Sequence, residues 1–177
     1  MAGAWDAKLA PLPKRTAVAF AVRAAQRLAP IIARMTENYG PEALEWLNAI
    51  DQCLGVVERW ETVSRFTLDL IAEVARGSAN SAVNAVRMIG PSKAAEDAEL
   101  AFAAAAFAAD AARNRDGARV IKFASLALAN VEASGFVPAE LLMDEGEVLW
   151  PYEKPAWFTD GIAQLRNASG LVKLFAV

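Results

Sequence analysis

Histidine is missing altogether from these 177 residues, and cysteine occurs once, at Cys53. Catalytic triads and dyads that need an imidazole are excluded, and so are most zinc sites. The Glu-x-x-His motif of helical di-iron proteins goes with them. A lone thiol forms no disulfide within the chain and no cysteine cluster for a metal. Any chemistry has to run on carboxylates, lysine, arginine, tyrosine, serine or threonine. Long apolar runs are lacking too. The stretch Leu100 to Ala109 has ten residues and is closed by Glu99 and Asp110, and no segment is longer without a charge. A bilayer span takes about 20. The opening MAGAWDAKLAPLPKR shows no long apolar stretch behind a basic start, so no secretory leader is expected. A cytoplasmic protein without a membrane span follows as the expectation.

What is abundant is alanine, 40 of the 177 residues, in a chain that is 55% hydrophobic. Alanine is the best helix former, and the few glycines and prolines fall between candidate helices. An all-α fold is predicted: an alanine-rich antiparallel bundle of about five to seven helices. It forms a single domain over 1–177, with the bundle at 12–134 and an irregular acidic, aromatic segment at 135–177.

Pro13 suits the first turn of a helix running towards Thr36, with a kink expected near Pro30. Asn38-Tyr39-Gly40-Pro41 is a stop followed by a start, and Leu44, Leu47, Ile50, Leu54 and Val57 keep one face to about Arg59. Val63, Phe66, Leu70 and Val74 mark a third helix, and Val83, Val86 and Ile89 a short fourth. Ser92 reads as the N-cap of the alanine-rich helix, which runs to about Arg113. Asn114 to Gly117 is a turn. Val120, Phe123, Ala127 and Val131 then form a stripe that ends at Ser134-Gly135. Short helices are expected at 138–143 and 156–167. The alanine-rich stretch LAFAAAAFAAD (100–110) allows close approach on several sides. Its expected place is the centre of the bundle, with Phe102 and Phe107 filling gaps. The rival expectation is an exposed face that docks a second copy.

Charge is unevenly placed although the net value is only −3. Between Lys14 and Met35 there are five basic residues and no acid, whereas Glu132 to Asp160 holds seven acids and one base, Lys154. Arg23, Arg27 and Arg34 fall within a sector of about 40° on a helix. The stripe is short, without interleaved aromatics, and sits on an acidic chain. No nucleic-acid binding is expected. The stripe reads instead as a solvated face or as ion-pair partners for the acidic C-terminal third. Glu42, Glu45, Glu58 and Glu61 resemble the paired acids of helical Mg²⁺-dependent nucleotide hydrolases. Both pairs fall on or near one helix and would not face each other, and first-turn acids at Glu42 and Glu45 have a sufficient role at the helix dipole. Cys53 sits among apolar positions as a buried thiol.

The candidate functional stretch is Asp144, Glu145, Glu147, Trp150, Tyr152, Glu153, Trp157, Phe158 and Asp160. Aromatics supply binding energy at interfaces, and acids steer a basic partner and fix register. The bland alternative is that Trp150, Trp157 and Phe158 plug the bundle end while the acids solvate it.

LPKRTAVAFAVRAAQRLAP, EALEWLNAIDQCLGVVERW, AELAFAAAAFAADAAR and VIKFASLALANVEAS together resemble small all-helical immunity proteins encoded beside bacterial polymorphic toxins. The likeness covers roughly 12–134 and rests on pattern and composition. It implies a non-enzymatic inhibitor that binds one cognate toxin domain and blocks its active site, with no catalytic residues, metal or cofactor. It carries no residue roles over to this chain. Two alternatives stand beside it: a self-associating helical scaffold, hence a homo-oligomer, and a metal-dependent hydrolase using the four glutamates.

Overall fold

The computed structural model describes residues 2–35, 93–144 and 149–159. Among them every regular element is helical. The expected helices between Leu44 and Ile89, Cys53, the four candidate metal-binding glutamates, Ser92 and the tail lie outside the described residues.

The first helix, α1 (Ala2–Leu9), had no counterpart in the sequence reading. It is short and forms by docking rather than by periodicity. Trp5 and Leu9, one turn apart, are both buried. Leu12 N–H then closes the following turn on the Leu9 carbonyl at 3.0 Å.

Helix α2 (Lys14–Met35) starts immediately after Pro13, whose carbonyl accepts from Ala17 N–H at 3.1 Å. It continues through Pro30. Ala17, Ala21, Ala24, Leu28 and Ile31 recur at helical spacing and are buried. Gln26 and Arg27 are buried on the same helix, which makes them the polar exceptions on an apolar element.

Helix α3 (Lys93–Arg113) is the alanine-rich stretch and packs against both α2 and α4 (Gly117–Ser134). Ala101 to Ala106, Ala108, Ala109 and Ala111 are buried. Side chains this small let two helices approach α3 from different sides. Its alanine faces are therefore covered within the chain, and Leu100 is its one large apolar side chain that is exposed among the described residues, at 49%. Phe107 stacks on Phe123 of α4 with ring centroids 5.3 Å apart.

The α3–α4 turn is a Schellman arrangement. Asp116 N–H bonds to the Ala111 carbonyl at 3.0 Å and Arg115 N–H to that of Ala112 at 3.1 Å. Arg115 carries the left-handed conformation, φ 59°. Gly117, expected in the turn, is instead the first residue of α4, and Asp116 caps that helix by accepting from Arg119 N–H at 3.1 Å. Helix α4 buries Val120, Ala124, Ala127, Leu128 and Val131 and stops at Gly135, left-handed at φ 72°. Helix α1 lies on α4. Trp5 Nε1–H donates to Glu132 Oε2 at 2.9 Å, and Lys8 Nζ stands 4.3 Å above the Trp5 ring.

After Gly135 the chain returns over the bundle. The helix expected at 138–143 is a single 3₁₀ turn, Ala139–Leu141, and a helical turn follows Pro155 over 156–159. Val137, Leu141, Leu142, Leu149, Trp150 and Phe158 enter the same core as α1 to α4. No described helix is long and apolar enough to cross a membrane.

Candidate functional site

The C-terminal segment is held by α2. Arg27 is fully buried, 0% exposed. Its Nε donates to the Leu149 carbonyl at 2.7 Å and its Nη1 to the Leu141 carbonyl at 2.6 Å. Its Nη2 lies 3.5 Å from Asp144 Oδ2, and Arg23 Nη2 approaches the same oxygen at 3.7 Å. Arg27 and Arg23 are one helical turn apart, so both reach the one carboxylate. This is the ion-pair outcome foreseen for the basic stripe, and it is more specific than a charge match. One planar fork takes two backbone oxygens and leaves its third nitrogen for a carboxylate.

Burial is costly for that cation. The Arg27 pKa is pushed down to about 10, first by loss of water and then by the neighbouring Arg23, against the pull of Asp144. The two carbonyl bonds and the ion pair offset part of the desolvation.

An aromatic cluster lies beyond the clamp. Trp150 meets Phe158 at 5.3 Å and Trp157 at 5.8 Å, both edge to face. Trp157 also meets Phe158 at 5.9 Å and Phe136 at 5.3 Å. These are the tilted geometries that ring quadrupoles favour.

The structure divides the candidate stretch. Trp150 and Phe158 are buried and join the core, which corrects their expected place on a contact surface. The reason is their packing: each presents its ring to two other aromatics, and solvent is excluded. Asp144, with its side chain 26% exposed, is engaged within the chain by the two arginines of α2. Tyr152, 76% exposed, and Glu153 stand on the surface, and Trp157 is half-buried between the two groups. Glu145, Glu147 and Asp160 lie outside the described residues. One surface aromatic escaped the sequence reading. Phe136 is 37% exposed and touches Trp157. Its only signal was a position immediately after the helix-ending Gly135.

Among the described residues, no three His, Cys, Asp or Glu side chains gather in a way that could hold a metal ion. No family model matches the chain, and no curated protein or solved structure is significantly similar to it.

Proposed function

We propose that this chain is a non-enzymatic binding protein that works by presenting one face of its C-terminal segment to a basic protein partner. The carrying observation is the exposed rim of Tyr152, Glu153, Phe136 and half-buried Trp157, backed by a buried aromatic cluster. Aromatic anchors on a rigid base, with Glu153 beside them, suit a cationic protein surface. Trp150 and Phe158 serve as that base and Tyr152 and Trp157 as contact.

The sequence likeness to immunity proteins supplies the partner within this proposal: a bacterial toxin domain whose basic cleft this acid-rich C-terminal segment would fill, in the cytoplasm of the producing cell. A toxin acting on nucleic acid or nucleotides needs such a cleft for phosphate, and an acidic surface competes for it. The self-association alternative drew on the alanine faces, which α2 and α4 cover.

Co-expression with the products of adjacent reading frames, followed by native mass spectrometry, tests the reading. A one-to-one complex that Y152A combined with E153K weakens at least tenfold is expected. A bare monomer with every neighbouring product left behind contradicts it.

A further inference from the structure

We propose that Arg27 sets the register of residues 137–144 and 149–158 on the bundle and is thereby the positioning residue for the exposed rim. The apolar contacts of this segment do not specify register by themselves. Leu141 and Leu142 are adjacent and both buried, and Leu149 and Trp150 repeat that pairing. A slip that brings Leu142 to the Leu141 site and Trp150 to the Leu149 site keeps both of these sites apolar, and burial is non-directional.

The Arg27 fork is directional. Nε and Nη1 belong to one rigid plane, and their acceptors are the carbonyls of Leu141 and Leu149. The carbonyls of Leu141 and Leu149 are therefore both tied to a single side chain of α2. A one-residue slip moves both carbonyls off the fork and takes Asp144 away from Arg23 and Arg27. It would also shift Tyr152 and Glu153 by one position along the exposed run 151–154. Buried ionic groups have their best-attested use in such register choices, rather than in net stability. The remaining polar atoms fit this division of labour. Arg27 Nη2 and Asp144 Oδ2 meet as an ion pair at 3.5 Å without a hydrogen bond between them. The lock concerns the fold and holds whatever the rim binds; only its consequence for a partner rests on the binding proposal.

The test is ¹⁹F NMR of the whole chain labelled with 5-fluorotryptophan. The five tryptophans are assigned by single Trp→Phe variants. In the wild type, Trp150 and Trp157 each give one line. In R27M, which keeps the volume and removes the fork, both are expected to split or broaden into at least two lines. Trp5, held against Glu132 on α4, keeps its single line. R27K places its donors on one nitrogen and is expected to split the same two lines. D144N removes only the ion pair and is expected to leave them single. Single Trp150 and Trp157 lines in R27M and R27K would overturn the proposal. So would loss of all folded lines in both variants, which would make Arg27 a general support of the bundle. Splitting in D144N would overturn it as well, by giving the register to the carboxylate.

Discussion

Arg27 donates through Nε to the Leu149 carbonyl at 2.7 Å, across 122 positions of sequence and in full burial. Removing this side chain therefore has two separable effects. R27M loses the hydrogen bonds but keeps the packed stem, and it also removes the cost of a buried charge. R27A loses the stem too. R27A is expected to be less stable than R27M by about 2–5 kcal/mol, the usual cost of truncating a large buried chain to alanine. Urea denaturation checks this, and equal stabilities would place the Arg27 stem outside the core.

The same site predicts a pH dependence with a definite sign. Burial lowers the Arg27 pKa to about 10. Above that pH, and below the ordinary arginine range, the unfolded chain binds the proton that the folded chain has lost. Stability from this group then rises with pH. At lower pH Arg27 is charged in both states and contributes no slope. The unfolding free energy of wild type minus that of R27M should be flat between about pH 7 and 9 and should move in favour of wild type above about 10. A difference that falls above pH 10 would contradict the assigned burial of the charge.

The docking of α1 rests on Trp5. Its ring is buried against the bundle and its indole N–H reaches Glu132. W5A should cost about 3–5 kcal/mol. E132A should cost about 1 kcal/mol, the net worth of one hydrogen bond. E132Q keeps an acceptor oxygen and should be close to wild type. Chemical denaturation of the three variants ranks them, and a neutral W5A would detach α1 from the core.

Central placement of α3 makes Ala105 intolerant of charge. Ala105 is buried between neighbouring helices, and an unpaired carboxylate there costs several kcal/mol at least. A105E is expected to lose most of its far-UV helical signal at room temperature. A variant that stays folded and merely changes its oligomeric mass would put α3 at an interface instead.

The turn between α3 and α4 contains a correctable strain. A left-handed residue other than glycine costs roughly 1–2 kcal/mol, of which glycine returns about half or more through chain entropy. Arg115 occupies that position. R115G should raise stability by up to about 1 kcal/mol, whereas D116A, which removes the α4 cap, should lower it by about 1 kcal/mol. Thermal unfolding of the pair decides, and opposite signs are required.

The helices were legible where the pattern was long or the punctuation strong. Alanine content marked α3, Pro13 marked the start of α2, and the Val120–Val131 stripe with Gly135 marked α4. Helix α1 was illegible because two docked side chains, not a periodic face, hold it. The arginine spacing on α2 was visible, and its acidic partner was foreseen as a region. That one guanidinium would take two backbone carbonyls was not readable, since carbonyls carry no sequence signature. The candidate stretch was identified by richness in aromatics and acids, which does not tell inside from outside. Trp150 and Tyr152 are two positions apart, and only tertiary packing separates a buried ring from one 76% exposed. Phe136 was missed because a single aromatic after a helix stop looks like any loop residue.

The division of this segment into a buried anchor and an exposed rim is the claim on which the binding proposal stands. Hydroxyl-radical footprinting of the whole chain, read residue by residue by mass spectrometry, measures it directly. Tyr152 should be oxidised strongly and Phe136 and Trp157 moderately, while Trp150 and Phe158 stay protected until the chain is unfolded. Oxidation of Trp150 as fast as that of Tyr152 in the folded protein would contradict it.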